Sequence, residues 1–250
     1  MNKRLWIVFA ALVIVAVGGL VFWKNNESVS GAYVENLDGT KLISKQNIVD
    51  AMNKSANNGN LSDTFKTDES LIIPDHFLGK ADSKVTVIEY EDFACTACNS
   101  FASSAKELHD EYKDRVLFIY RNFNLNQNTS TLSESGAEAT YLVGGEDKYW
   151  EMHDLIFSNE VCVEGNDRNL CQQTITDYAK QIGLDSSKFE KALKDFSSNG
   201  INDKIKRDKA LGIQAKVSAT PTWIINGKRI EGANKSNMKA AIDSALEATK

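Results

Sequence analysis

At 250 residues the chain exceeds one minimal domain and falls short of two large ones. Hydrophobic residues make up 42% of it, which excludes global disorder. A net charge of -5 without any Lys/Arg block argues against a nucleic-acid partner.

The first predicted element is the apolar run "LWIVFAALVIVAVGGLVFW", Leu5 to Trp23, which carries no charge. At about 1.5 Å per residue a helix of this length nears the thickness of a hydrocarbon core. Lys3 and Arg4 precede it, so the positive-inside rule leaves the N-terminus in the cytoplasm and the rest outside. Residues 1–23 are therefore expected to be a single-pass anchor in the cell membrane. A cleaved signal peptide is the competing reading, but its apolar region is usually shorter, about 7–15 residues. Either reading exports the remainder. Residues 24–70 are rich in Asn, Ser, Asp and Lys and have no apolar period, so they read mainly as a spacer. Within them, "SKQNIVDAMNKS" fits a short helix capped by Ser44.

The folded domain is expected over residues 71–250. "KVTVIEYED" (Lys84–Asp92) reads as a buried strand. "NSFASSAKELHDEY" places Phe101, Ala105, Leu108 and Tyr112 on one helical face, and "RVLFIYRNF" (Arg115–Phe123) is a second strand. Together they predict a βαβ unit with parallel strands. A helical block follows over about 126–214, in which Gly183 stops one helix and Asp185 starts the next. "TPTWIIN" and "KRIEG" flank Asn226-Gly227, a hairpin signal, and "NKSNMKAAIDSALEATK" closes the chain as a helix. The fold class is α/β, a split arrangement similar to the thioredoxin fold with helices inserted in its middle.

The four cysteines are Cys95, Cys98, Cys162 and Cys171. Structural zinc usually needs two close pairs, and only one C-x-x-C exists here. His76, His109 and His153 do not sit at ligand spacing with it. A cysteine hydrolase needs a histidine base within hydrogen-bond reach. His109 is fourteen residues beyond Cys95 on the same helix, about 21 Å along the axis. A structural staple explains the pair but not its placement. Cys95 opens a helix after a buried strand, where unpaired N–H groups and the helix dipole favour a thiolate. Cys98, one turn on, is placed to attack the first sulfur. Placement thus favours electron exchange, with the staple as the alternative.

Two further residues stand out. Pro221 opens a strand, where a missing N–H is tolerated. Glu89 interrupts an apolar strand six residues before Cys95; a buried carboxylate there is a candidate proton relay.

The segments "VTVIEYEDFACTAC", "YWEMHDLIF" and "ATPTWIING" resemble the DsbA-like thiol:disulfide oxidoreductases of the thioredoxin superfamily. The resemblance implies that Cys95 is the exposed nucleophile and Cys98 the buried resolving thiol. It implies that Thr220-Pro221 is the cis-proline loop that holds substrate, and that Glu89 is the family's buried acid. The implied activity is an extracytoplasmic disulfide oxidase acting on cysteine-containing exported proteins. A membrane-embedded, quinone-linked partner would reoxidise it, with no metal or organic cofactor. Two departures are visible: Thr96-Ala97 replaces the Pro-His common in strongly oxidising relatives, and Asn124 replaces a frequent proline. Cys162 and Cys171 read as a structural disulfide closing a short loop. The rival readings are a reductase or isomerase of the same fold, and a tethered binding module or chaperone without turnover.

Overall fold

The computed structural model describes residues 34–58, 69–125, 129–163 and 165–250. The expected anchor at 5–23 lies outside them. Among the described residues no helix is long and apolar enough to cross a membrane.

Five strands form one mixed sheet: β1 (His76–Gly79), β2 (Thr86–Glu91), β3 (Leu117–Asn122), β4 (Thr222–Ile225) and β5 (Lys228–Glu231), in spatial order β1-β3-β2-β4-β5. β2 is central, parallel to β3 and antiparallel to β4. Its residues Val87, Ile88 and Tyr90 are buried on both faces, the pattern of a strand covered on both sides. Helix α2 (Thr96–Tyr112) links β2 to β3. Its Phe101, Ala105, Leu108 and Tyr112 pack on Val87, Phe118 and Trp223, with Met238 and Ile242 of the closing helix α8 (Lys235–Ala248). Each such buried apolar side chain contributes roughly 1.5–3 kcal/mol. Ile88, Tyr90, Ile119 and Ile224 pack on the other face.

Between β3 and β4 lie α3 (Ser130–Gly144), α4 (Glu146–Asn159), α5 (Arg168–Gln181), α6 (Ser186–Lys194) and α7 (Ile201–Gln214). Gly183, at φ 82°, follows α5, and the Asp185 side chain accepts from Lys188 N to start α6. α7 comes so close to the sheet at Gly212 that a Cβ there would lie 2.5 Å from Phe123. The β4–β5 turn holds Asn226 and Gly227 at φ 45° and 83°, the sign a tight hairpin requires. The short edge strand β1, which pairs antiparallel with β3, had no sequence signal.

The region read mainly as spacer differs from that expectation. Helix α1 (Lys45–Asn57) starts at Ser44, whose hydroxyl accepts from Asn47 N at 3.2 Å. Val34, Leu37, Ile43, Ile48 and Met52 form a small core with Ile72 and Leu211 of α7. Buried Arg121 of β3 ties this segment down. Its guanidinium donates to the carbonyls of Gly39 and Lys41, to Asp75 and to the Tyr90 hydroxyl. Five scattered apolar residues gave no period, and the partner that buries them is far along the chain.

Candidate active site

The site is built where β2 ends. Asp92 organises the turn. Its side chain accepts from Ala94 N, Leu125 N and the Ser130 hydroxyl, each at 2.9 Å, while its carbonyl accepts from Cys95 N. The Asp92–Ala94 contact is an Asx-turn, which aims the chain into α2. Cys95 is the N-cap of α2 in extended conformation, with no side-chain capping bond. Cys95, expected to be exposed, is itself largely buried at 8% exposure, with its sulfur at the helix N-terminus, while Thr96 and Ala97 are exposed. Cys98 is wholly buried beneath it, and both thiols are free. Asn99 braces the turn by donating to the carbonyls of Phe93 and Cys95.

The two thiols are electrostatic opposites. The Cys98 thiol, then Thr220 and the Cys98 and Ala97 N–H groups, lower the Cys95 pKa to about 5 against the opposing effect of burial. Burial, followed by the hydrogen bond to Cys95 and the charge of Glu91, pushes Cys98 well above the ordinary thiol range. The Thr220-Pro221 peptide is cis, and Cys95 Sγ lies 3.5 Å from the Thr220 carbonyl oxygen. Residues 125 positions apart thus share one site. The Thr220 carbonyl is thus an acceptor directly beside the nucleophilic sulfur.

Glu89 is buried, and its carboxylate pairs with His109 Nε2 at 2.7 Å. The acid whose charge acts on both cysteines is instead Glu91, two residues on and on the same face of β2. Glu91 accepts from the Trp223 indole at 3.1 Å. Burial, then the charge of Glu89, raises its pKa to about 8. The sequence reading missed Glu91, Asp92 and Asn99. Period-two alternation along β2 would put Glu91 on the face of Glu89, and an Asp three residues before a helix-opening Cys is an Asx-turn signal.

Cys162 and Cys171 form a disulfide with Cα atoms 5.0 Å apart. It joins the segment after α4 to the first turn of α5, and Thr129 donates to the Cys162 carbonyl. Among the described residues no group of His, Cys, Asp or Glu could hold a metal ion. His153 is packed among Phe93, Tyr120 and Phe157. Asn124 donates to Thr131 and Glu134, so the departure from proline is used to tie the loop after β3 to α3.

A cysteine at a helix start, a buried second cysteine one turn on and a cis-proline loop against them coincide with a family model described as thioredoxin, which matches residues 72–244. The chain belongs to the thioredoxin family. Its sheet and α2 are the family's α/β core, and α3 to α7 are the helical insertion. The Na(+)/H(+) antiporter NhaA 3 of Salinispora tropica is 30% identical over 173 residues, 69% of this chain but 25% of the antiporter. The chain spans about a quarter of the length of the curated relatives matched first. The probable disulfide bond formation protein D of Bacillus cereus is 27% identical over 199 residues, covering 78% of this chain and 87% of that protein. Among solved structures, BdbD from Bacillus subtilis in its oxidised form superposes with a TM-score of 0.60 at 24% identity, covering 69% of this chain and 93% of that one. The thiol-disulfide exchange protein alpha-DsbA2 from Wolbachia pipientis gives 0.59 at 24%, covering 68% and 86%. These superpositions carry the fold.

Proposed function

We propose that this thioredoxin-family protein is a thiol:disulfide oxidoreductase that works as an extracytoplasmic disulfide oxidase. The observation that carries the reading is the contrast between Cys95, lowered to about 5, and Cys98, raised and buried. The named relative from Bacillus cereus, a probable disulfide bond formation protein, supports it.

The cycle starts with Cys95 and Cys98 joined. A substrate thiolate attacks Cys95 Sγ, the Cys95–Cys98 bond breaks, and Cys98 leaves as a thiolate. At its buried site that thiolate must take up a proton. Glu91, protonated below about pH 8 and interacting with Cys98, is placed to donate it. The second substrate thiolate then attacks the substrate sulfur of the mixed disulfide. Cys95 leaves as its stabilised thiolate. The substrate loses two electrons and two protons; the enzyme gains two electrons and one proton, and the other proton goes to water. The Thr220-Pro221 loop holds the substrate chain beside Cys95. Reoxidation falls to a membrane-embedded partner, and the run at 5–23 serves as the anchor that keeps the two in one membrane. Cys162–Cys171 acts as a structural staple.

Trapping tests the reading. A Cys98→Ala variant is expected to accumulate mixed disulfides through Cys95, seen as reducible adducts on gels; their absence defeats it. The measured reduction potential separates directions. A value near about -120 mV marks an oxidase and one near about -270 mV a reductase.

A further inference from the structure

A cleft of about 730 Å³ opens between α2 and α4, and Thr220 is not among its lining residues. Its walls are partly apolar, from Ala102, Ala105, Leu155 and Phe157, and its lining includes Glu89 and Glu91. Two lining residues, each more than nine-tenths buried, leave an acceptor without a partner. One is Asn99 Oδ1, whose amide nitrogen is already committed to the turn. The other is His153 Nε2. His153 is held neutral by burial and its Nδ1 lies 3.1 Å from Asp154, so Nε2 presents a lone pair. The cleft thus has Glu91, with Glu89 already paired to His109, and two unpartnered acceptors buried in its wall, with apolar side chains between them. Lys106, the lining residue that is a permanent cation, is already paired with Asp154.

We propose that this cleft is a binding site for an extended organic cation, an alkylguanidinium or alkylammonium group, whose stem lies along the apolar walls and whose head reaches Glu91. The geometry excludes a compact alternative: among the described residues no cluster could ligate a metal ion. Water would satisfy the spare acceptors but would not favour an ionised Glu91, which burial otherwise keeps protonated. A multi-donor cation does both, because an opposite charge favours the carboxylate. The groups that bear on Glu91 are Glu89 on its own strand, Cys95 and Cys98 at the start of α2, and Tyr120 on β3. His109 and Lys106 of α2, and His153 and Asp154 of α4, line the same cleft. Binding does not depend on the redox reading and is measurable with the cysteines oxidised.

The test is NMR titration of the oxidised full chain, following the Trp223 indole N–H that donates to Glu91. The probes are n-butylguanidinium, its neutral isostere n-butylurea, and the blocked tripeptide acetyl-Ala-Arg-Ala-amide. Butylguanidinium is expected to shift the indole signal saturably, and butylurea is not. Because burial raises the Glu91 pKa, loss of its proton is expected to make binding tighter at pH 9 than at pH 7. Glu91→Gln is expected to weaken binding at least fivefold. Should that variant not fold, Ser103→Trp, at an exposed lining position, blocks the cleft without touching a charge and is expected to abolish the shift. Tripeptide binding assigns the cation to an arginine of a protein partner; butylguanidinium binding alone assigns it to a free small cation. Equal binding of butylurea, no shift with butylguanidinium, or an unchanged affinity in a folded Glu91→Gln or Ser103→Trp variant overturns the site.

Discussion

Two buried groups of charge lie on opposite faces of the central strands, and they are finished differently. On one face the Arg121 guanidinium is met by Asp75, the Tyr90 hydroxyl and two carbonyls. On the other, Glu91 has one neutral donor, Trp223, and stands near another acid and two thiols. A buried charge with its partners supplied is a structural fastening; one left underpartnered changes its protonation state instead. The first group holds the N-terminal segment. The second lies beside the two thiols and, in the proposed cycle, would supply a proton to Cys98.

Removing a partner from the finished group should have the largest effect on stability. Arg121→Met leaves Asp75 buried without its cation and frees Gly39 and Lys41. Unfolding by urea is expected to show a loss of about 3–5 kcal/mol, with early proteolysis within residues 34–58. If stability is unchanged, the fastening role is wrong.

Glu91→Gln should do the reverse, sparing the fold while damaging the chemistry. With its pKa raised from 4.5 to about 8, Glu91 gives stability that is present below pH 4.5 and lost as pH rises to about 8. The Gln variant should lack that decline and be the more stable protein at pH 9. Its oxidation of a model dithiol peptide at pH 7 should slow by about tenfold or more, within the range usual for general acids. A rate equal to the parent's would remove Glu91 from the proton path.

Cys95 gives the opposite sign. Its lowered pKa stabilises the reduced protein fully above about pH 9, and that stabilisation is lost as pH falls through about 5. Thiolate absorbance in the ultraviolet should titrate with a midpoint near 5, and a midpoint near 9 would contradict the site. The smallest effect belongs to a control far from both groups. Asp185→Ala removes the cap of α6 and should cost about 1 kcal/mol without moving the Cys95 midpoint.

Legibility in the sequence followed the range of the forces involved. Local signals were readable: the Asn226-Gly227 turn, the Gly183 stop, the Asp185 cap, the apolar face of α2 and the cysteine at its start. The family resemblance joined Thr220-Pro221 to the cysteines across 125 positions, which spacing by itself did not. Glu91 was hidden because alternation puts it and Glu89 on one face, and only the fold gives His109 to Glu89 and leaves Glu91 with the thiols. Arg121 was hidden because a strand residue's partners are set by other segments. Its partners in turn lay in a region whose composition read as linker.

The stitched N-terminal segment also sets a working distance. With residues 24–70 as a spacer, 47 residues would separate the apolar run from the domain. With packing already under way at Val34, the interval is residues 24–33. Ten residues at full extension span no more than about 36 Å. Under the proposed anchor at residues 5–23, that length would confine the domain to a thin layer next to the membrane. The proposed substrates would then be met within that layer, and the proposed reoxidising partner would need to reach no further than the width of a small domain.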